Sequence, residues 1–262
     1  MAWVIDLDGV VWLSGQPIRG APEAISRLKK AGKTVVFLTN NSGPTVAEHV
    51  ERLHRAGVPA APEDLVTSAQ AAASMLPRGS AAAVIGDEGI YEALTERSVE
   101  VVPAASHPGA VVVGRSVTLD YDELGAAASA IRDGARFVAT NTDSTFPTPH
   151  GLLPGAGALV AFLSTASATE PEVAGKPHPA TADLVRARYG AVSVVVGDRP
   201  DTDGRFATLI GTRFVLVLSG VTARKDLPVD PAPDSMYDDL ASAVSDHLES
   251  GARGAPEARP ST

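Results

Sequence analysis

Residues 3–11 are Trp3-Val4-Ile5-Asp6-Leu7-Asp8-Gly9-Val10-Val11, an apolar run that two carboxylates interrupt. Because side chains alternate across a strand, Asp6 and Asp8 are predicted to lie on one face of a β-strand, at its end. Two acids at the end of a buried strand cost free energy unless a positive charge compensates them. That charge could come from a divalent cation, a lysine or both. The alternative is a plain strand edge with two solvated acids.

Composition limits the classes of protein to consider. The chain has 262 residues, 44% hydrophobic and 20% charged, enough for the core of one large domain or two modest ones. Its net charge of -9 argues against a nucleic-acid surface, although local cations could still bind a small anion. The absence of cysteine excludes disulfides, thiolate nucleophiles and cysteine-ligated zinc. With neither a signal-peptide pattern nor an apolar run of ~18 residues, we expect a soluble cytoplasmic protein with no membrane partner.

The first part of the chain alternates between predicted strands and helices. After the opening strand we predict a helix over 22–31, a strand over 34–38, a helix that begins at Pro44 and ends at Gly57, and a helix around 68–75. Strands and helices that alternate with short connections predict right-handed crossovers and a parallel sheet. The fold class is therefore α/β.

A second series of elements begins after a change in composition near residues 77–80. Its predicted strands are 82–85, 99–102, 110–113 and 137–139, and its predicted helices are 87–96, 121–132 and one that ends near Ala166. The chain then returns to the first unit, with helices over 179–189 and 238–248 and strands over 193–196 and 214–218. We predict a core formed by residues 1–77 and 175–250, an inserted unit at 78–174, and a disordered tail at 251–262.

Polar residues follow several of the predicted strands, at the edge where open parallel sheets bind ligands. Besides the two acids of the first strand, they are Thr39-Asn40-Asn41, Lys176 and Gly197-Asp198. Each has an ordinary alternative, because an Asn-rich turn is a common helix cap and an isolated lysine is usually a surface residue. Four such features at one predicted edge favour a binding site.

Two of these features suit a phosphate group. Thr39, Asn40 and Asn41 precede the start of a helix, where backbone N–H groups and the helix dipole favour an anion. Lys176 stands between Gly175 and two nearby prolines, so its ammonium is the main polar group of that loop. A lysine beside acids can neutralise charge that develops on a transferred phosphoryl group.

The acids suit a magnesium ion. Asp6, Asp198 and a backbone carbonyl could hold Mg²⁺, which prefers carboxylate oxygens and retained waters. Asp203 is better placed behind these ligands than among them. Asp201 is equally well explained as a helix N-cap.

Taken together and in this order, the motifs resemble those of the haloacid dehalogenase (HAD) superfamily of phosphatases, in its NagD-like, p-nitrophenyl phosphatase-like branch. They are D-L-D-G-V at 6–10, L-T-N-N-S at 38–42, G-K-P at 175–177 and G-D-R-P-D-T-D at 197–203. The resemblance implies a Rossmann-like, doubly wound parallel-sheet core with an inserted smaller α/β cap domain. One departure is Gly204-Arg205-Phe206, where relatives usually carry an apolar helix start, and it puts the residues behind the metal in doubt.

The resemblance also implies hydrolysis of a phosphate monoester through an aspartyl-phosphate. Asp6 would attack phosphorus, and Asp8 would protonate the leaving oxygen and then deprotonate the hydrolytic water. Neighbouring charge is expected to raise the pKa of Asp8. Mg²⁺ would be held by Asp6, the Asp8 carbonyl and Asp198. The supporting residues are Thr39, Asn40, Asn41 and Lys176 around the phosphoryl group, with Asp203 and Arg199 behind the metal ligands.

Substrate choice is expected to come from the cap. Asn141 and Asp143, with the loop over 146–153, are the predicted wall that faces the phosphate; the alternative for them is a structural Asx turn. The stretch T-P-H-G-L-L-P-G-A-G at 148–157 resembles actinobacterial members that act on glycerol 3-phosphate. Branch members accept several sugar, polyol, glycolate and nucleotide phosphates, so the expected partner is a small phosphorylated metabolite. By analogy with relatives, a homodimer could form through the cap.

Two other functions share part of this pattern. A receiver-type signalling domain also groups acids, a threonine and a lysine around Mg²⁺, but it gives no reason for the long insert. A family member that binds phosphorylated ligands without hydrolysing them is the other, and the intact Asp6, Asp8, Lys176 and Asp198 argue against it.

Overall fold

The structure is a computed structural model that describes residues 1–13, 15–148 and 151–253. The chain alternates between strands and helices throughout, as an α/β protein does. Its first elements are β1 (Ala2–Ile5), β2 (Trp12–Leu13), β3 (Gln16–Pro17), α1 (Ala21–Lys30), β4 (Thr34–Thr39), α2 (Val46–Arg55), β5 (Leu65–Thr67) and α3 (Ser68–Ser74). They are followed by β6 (Ala81–Ile85), α4 (Glu88–Glu96), β7 (Glu100–Val101), β8 (Ala110–Val113), α5 (Tyr121–Arg132), β9 (Arg136–Ala139), β10 (Thr145–Thr148), β11 (Gly151–Pro154), α6 (Ala156–Ser167) and β12 (Glu172–Val173). The last elements are α7 (Pro179–Tyr189), β13 (Val192–Gly197), α8 (Arg205–Ile210), β14 (Arg213–Val217), β15 (Ser235–Tyr237) and α9 (Leu240–Arg253).

The larger sheet is parallel and has β1 near its middle. Its strand order is β15-β14-β13-β1-β4-β5, and Val4 pairs with Val195 on one side and Val36 on the other. Alternation along β1 sends Trp3 and Ile5 to the face covered by α1, α2 and α9, and Val4 to the face covered by α7 and α8. Helices on both faces of a parallel sheet confirm the doubly wound fold predicted from the sequence.

A second, smaller parallel sheet lies in the middle of the chain. Its order is β12-β9-β8-β6-β7, and all five strands fall between Ala81 and Val173. Helices α5 and α6 pack on one face, and α3 and α4 pack on the other. We call this unit the cap and the larger-sheet unit the core.

Helix α3 joins the two units more closely than the sequence indicated. Its alanines, Ala69 and Ala71 to Ala73, are buried with Ala82, Val84 and Val112 of the cap sheet. Helix α7 contributes to both units, because Ala182 and Val185 belong to the core cluster while Ala180 packs against the cap cluster.

Several predicted boundaries differ from the structure. The opening strand ends at Ile5, so the two acids lie in the loop after it rather than within a strand. Helix α2 begins at Val46 with Thr45 as its N-cap, so Pro44 is outside the helix. The predicted loop over 146–153 carries the antiparallel hairpin β10–β11, with Pro149 and His150 outside the described residues. Helix α9 extends to Arg253, so the first three residues of the tail predicted to be disordered are helical, and the rest lie outside the described residues.

Among the helices within the described ranges, none combines the length and apolar character needed to cross a bilayer.

Candidate active site

The two acids of the first motif are held by a tight turn. Three successive backbone N–H groups, from Val10 to Trp12, donate to the Leu7 carbonyl, and Gly9 has a positive φ of 86°. This turn brings the Trp12 indole back over the loop, where its Nε1–H donates to Asp8 Oδ1 at 2.9 Å. The Asp8 carboxyl is therefore oriented by a neutral donor that leaves its second oxygen available.

Lys176 lies at the centre of the site. Its buried ammonium donates to Asp6 Oδ1 and Asp203 Oδ1, each at 2.6 Å, and to the Leu38 carbonyl at 3.2 Å. An ammonium has three N–H donors, so these three acceptors use all of them. The lysine is thus fixed beside the first acid, as the sequence motifs predicted.

Three buried carboxylates form a group suited to a cation. Oxygens of Asp6, Asp198 and Asp203 lie within 4.8 Å of one another. Asp198 Oδ2 accepts from the Val221 N–H at 2.6 Å, whereas Oδ1 is buried without a hydrogen-bond partner among the described residues. A buried carboxylate oxygen without a partner is costly unless a cation or water completes it. The donor set, all oxygen, matches what Mg²⁺ prefers, so these residues fit the ion.

Two glycines make room for the Asp198 carboxylate. A Cβ placed on Gly9 would lie 2.3 Å from Asp198 Oδ2, and one placed on Gly220 would lie 2.0 Å from the same oxygen. Any larger residue at either position would therefore displace the carboxylate. These glycines come from loops far apart in sequence, which is why the motif search did not connect them.

Asp203 is positioned by a π-helical turn over Pro200–Gly204. One of its oxygens contacts Lys176, and the other accepts from the Arg199 N–H at 3.1 Å. A Cβ on Gly197 would lie 2.2 Å from the Asp203 carboxylate, which explains why glycine precedes Asp198. The departure at Gly204 is also accounted for, because a Cβ there would come within 2.9 Å of the Phe214 ring.

The Arg199 side chain lines the same cavity, but among the described residues its guanidinium donates no hydrogen bond to the three carboxylates. Its Nε and Nη2 donate to Asp201 at 3.3 and 3.0 Å. This bidentate contact also gives Asp201 a partner other than the helix cap that was considered for it.

The loop after β4 connects the core to the Lys176 segment. Thr39 Oγ1 accepts from the Asn41 N–H at 3.0 Å, and Asn41 Oδ1 accepts from the Gly43 N–H at 3.2 Å. The Asn40 amide pairs with the backbone of Lys176, since Oδ1 accepts from its N–H at 2.8 Å and Nδ2 donates to its carbonyl at 3.1 Å. The side chain of Asn40 is thus engaged by protein, whereas its backbone N–H has no partner within the described part of the chain.

The two cap residues expected near the site reach this same loop. Asn141 Nδ2 donates to the Asn40 carbonyl at 2.7 Å, and Asn40 Nδ2 donates to Asp143 Oδ2 at 3.4 Å. Asn141 Oδ1 also accepts from the Asp143 N–H, so the Asx turn considered for them is present as well. Both residues line the cavity that contains Asp6 and Lys176.

Burial dominates the electrostatics of the acids. It raises the pKa of Asp6 well above its ordinary value, against the opposing effect of Lys176. Burial, and secondly the charge of Asp203, raise the pKa of Asp198 to about 7. Burial also raises the pKa of Asp8, so the predicted direction is correct but its cause is desolvation rather than chiefly a neighbouring charge. Burial alone would lower the pKa of Lys176, yet Asp203 and Asp6 together raise it, so the lysine stays charged.

Sequence reasoning missed part of the cavity wall. Arg115, which follows the end of β8 in the cap, lines the cavity of about 150 Å³ and was not predicted there. Phe146 on β10 also lines the cavity, and it belongs to the loop over 146–153 that was expected to face the phosphate. Sequence reasoning also missed His49, whose buried Nε2 lies 3.3 Å from the Asn41 carbonyl and whose pKa burial lowers to about 4. The positions after cap strands are the signal that could have found Arg115, because ligands gather at the carboxyl ends of parallel strands.

Comparison with known families gives two matches. Residues 3–100 match a family model described as haloacid dehalogenase-like hydrolase, and residues 173–243 match a HAD-hydrolase-like model. The unmatched residues between them contain most of the cap.

Individual relatives are phosphatases. The chain is 40% identical over 230 residues to the D-glycerol 3-phosphate phosphatase of Mycobacterium tuberculosis, covering 85% of this chain but only 64% of that relative. It is 32% identical over 252 residues to the acid sugar phosphatase of Staphylococcus aureus, covering 94% of this chain and 97% of the relative. These relatives confirm the enzyme class expected from the sequence, a phosphoric monoester hydrolase.

Solved structures agree in fold. The glycerol phosphate phosphatase of M. tuberculosis, solved in complex with magnesium, has a TM-score of 0.86 at 39% identity. The match covers 92% of this chain and 75% of that structure's chain. The p-nitrophenyl phosphatase of Archaeoglobus fulgidus has a TM-score of 0.87 at 30% identity, with 94% and 98% covered. The magnesium in the first of these agrees with the cofactor predicted from the sequence.

Proposed function

The chain belongs to the haloacid dehalogenase-like hydrolases, and from that premise we propose that it hydrolyses small phosphate monoesters with Mg²⁺, through a phosphate ester of Asp6. The observation that carries the proposal is the buried group of Asp6, Asp198 and Asp203, of which Asp6 and Asp203 contact the Lys176 ammonium and Asp198 has one oxygen without a hydrogen-bond partner among the described residues. Neither a structural core nor a solvated surface needs such a concentration of buried charge.

The metal would be held by Asp6, Asp198 and the backbone carbonyl of Asp8. Bound there, Mg²⁺ supplies positive charge that offsets the repulsion between a carboxylate and a phosphate dianion. Asp203, through its contact with Lys176, would keep the ammonium in place and add negative charge behind the ligands.

Asp6 would attack phosphorus as a nucleophile, forming an aspartyl-phosphate while the bond from phosphorus to the leaving oxygen breaks. Asp8 would give its proton to that oxygen, releasing the alcohol. Asp8 would then accept a proton from the water that attacks the same phosphorus, releasing phosphate and restoring the Asp6 carboxylate. A carboxyl whose pKa burial raises, and which Trp12 orients, suits a group that must be an acid first and a base second.

The phosphoryl oxygens would be bound by the Thr39 hydroxyl and backbone N–H groups of the following turn, Asn40 included. The Lys176 ammonium, whose N–H groups are held by protein, would stabilise Asp6 and the phosphoryl group through its charge. Because the Asn40 side chain is used to hold the Lys176 backbone, its contribution would come from the main chain. Asn41, Asn141 and Asp143 would border the leaving group, and Arg199 would stand behind the metal ligands.

The relatives and the small cavity support a proposal for the substrate class. We propose glycerol 3-phosphate and related polyol or sugar phosphates, with p-nitrophenyl phosphate as an artificial substrate. We further propose that two copies pair through the cap, where Val117, Leu119, Tyr121 and Phe162 are exposed and where Tyr121 and Phe162 meet edge to face at 6.4 Å.

The test of the chemistry is phosphate release from p-nitrophenyl phosphate and glycerol 3-phosphate, with Mg²⁺ and with EDTA. We expect turnover that EDTA abolishes and that Asp6→Asn reduces by at least about 10³-fold, because the amide is not a nucleophile. Asp122→Asn, an exposed acid of α5, is the matched control and should retain activity. A stable phosphoprotein without turnover would favour the receiver-type alternative, and substantial activity in Asp6→Asn would exclude covalent catalysis by this residue.

A further inference from the structure

Arg115 is a cation in the cavity wall to which the proposed chemistry assigns no role. It comes from the cap, two residues after the end of β8, and it lines the same cavity as Asp6, Asp8 and Lys176. It lies in the part of the wall that the cap supplies, not among the buried carboxylates.

The cations of the cavity differ in what remains free on them. All three N–H groups of the Lys176 ammonium are used, and Arg199 is held by two bonds to Asp201. The Arg115 guanidinium makes one hydrogen bond, from Nη1 to Asp87 Oδ2 at 3.3 Å, and its other N–H groups have no partner among the residues that the structure describes. Five donors are available on a guanidinium, so most of its binding capacity is unused.

The guanidinium is nevertheless held in a defined orientation. It stacks on the Phe146 ring, with its central carbon 4.4 Å from the ring centre, and its Nη1 donates to Asp87. Asp87 is itself fixed, because its Oδ1 accepts from the Val117 N–H at 3.1 Å. A planar fork fixed by an aromatic face and a carboxylate loses little freedom when it binds an anion.

The Arg115 guanidinium lies directly beside the loop after β4, which would bind the phosphoryl group. A Cβ placed on Gly43 would be 3.1 Å from Arg115 Nη1 and 3.5 Å from Asn41 Oδ1. A leaving group of a few carbon atoms that extends from the phosphoryl site along this loop would therefore reach the guanidinium.

The pair with Asp87 could in principle serve only to join elements of the cap. A single bond of 3.3 Å between side chains that remain 20% and 19% exposed can orient the guanidinium, but such pairs contribute little to the stability of the fold. It does not require an arginine fork, nor does it require that the fork face the cavity.

We propose that Arg115 is a specificity-determining residue that binds an anionic group, a carboxylate or second phosphate, on the leaving alcohol. The preferred substrates are then small phosphate monoesters that carry a second negative charge. This inference rests on the proposed phosphatase function, and it ranks esters with an anionic leaving group above neutral polyol phosphates such as glycerol 3-phosphate.

The test uses two esters that differ in one group. Glycerol 3-phosphate ends in a CH₂OH group where 3-phosphoglycerate carries a carboxylate. We expect a higher kcat/KM for 3-phosphoglycerate, and we expect Arg115→Met to lower that value by about 20- to 100-fold, mainly through KM, while the value for glycerol 3-phosphate changes less than about 3-fold. Arg115→Lys should recover part of the loss, because it keeps the charge without the fork.

Controls separate folding from recognition. Arg19→Met, an exposed arginine of the core, should leave both substrates unchanged, and p-nitrophenyl phosphate turnover should show that the Arg115 variants are folded. Equal losses for both esters, or no loss for either, would overturn the assignment of Arg115.

A binding measurement tests the role of Arg115 independently of catalytic turnover. Calorimetry on Asp6→Asn chains, with and without Arg115→Met, compares the affinity for the same two esters in the presence of Mg²⁺. A loss confined to 3-phosphoglycerate supports the proposal whether or not the native chain turns over. Absence of phosphate release from all three esters would overturn the proposed function instead, and absence of selective binding would overturn the role of Arg115.

Discussion

Asp8 is the residue whose environment most directly predicts a kinetic result. Its carboxyl is buried, with a raised pKa, and one oxygen accepts from Trp12. Proton donation matters most when the leaving oxygen is strongly basic. We expect Asp8→Asn to lower kcat for glycerol 3-phosphate by about 10³-fold and for p-nitrophenyl phosphate by much less, since nitrophenolate leaves without a proton.

Steady-state kinetics on both esters measures that difference. Trp12→Phe is a useful companion, because it removes the orienting N–H but leaves the carboxyl in place; a smaller loss with the same ester preference is expected. Equal losses for both esters in Asp8→Asn would assign this residue a structural role.

For single residues, the sequence predicted which charged side chains form the site more readily than it predicted what surrounds them. Asp6, Lys176 and Asp198 were found because each follows a strand in a recognisable motif, and the structure brings them together. Arg115 was missed because an arginine after a short apolar strand has many ordinary explanations. The role proposed for Arg115 depends on its contacts with Phe146 and Asp87. These contacts arise only when β8, β10 and the start of α4 pack together.

Among the elements, α2 shows what local sequence can specify. Its N-terminus has a reciprocal capping box, in which Thr45 Oγ1 accepts from the Glu48 N–H at 3.1 Å and the Glu48 carboxylate accepts from the Thr45 N–H at 2.9 Å. The sequence contains the pattern Thr-x-x-Glu at 45–48, whereas the proline rule predicts a start at Pro44. The capping interaction, rather than the proline, determines where this helix starts.

We expect Thr45→Ala to lower the free energy of unfolding by about 1 kcal/mol, because it leaves a helix N–H without its acceptor. Chemical denaturation monitored by circular dichroism measures this loss. Thr45→Ser retains the hydroxyl and is the matched control. If the alanine and serine variants are equally stable, the capping bond contributes nothing measurable.

The elements that escaped sequence reasoning are the short ones. Strands β5, β12 and β15 have two or three residues each, too few to show a hydrophobic period. They form because each pairs with the edge of a neighbouring strand. The hairpin β10–β11 contains Pro147 and Pro154, which count against a strand unless it lies at an edge. Longer elements such as α5 and α7 were predicted at their observed bounds, because apolar spacing and a capping residue agree.

For the whole molecule, the exposed apolar residues of the cap carry the proposal of self-association. We expect light scattering to give about twice the chain mass of 26.9 kDa. Tyr121→Glu should shift the protein towards monomer, because it places a charge within the exposed group of Val117, Leu119 and Phe162. Leu209→Glu, at an exposed position of the core, is the control; a monomeric native chain, or dimers that persist in Tyr121→Glu, would contradict the proposal.

The alanine face of α3 limits how this architecture can be re-engineered. The helix precedes the inserted segment in the chain, yet its side chains fill one face of the inserted sheet. Transferring residues 78–174 to a related scaffold would omit α3, and the transferred sheet would then expose the apolar face that α3 covers. The unit that can be exchanged is therefore larger than the insertion, and chimaeras joined before Ser68 keep the helix with the sheet that it covers.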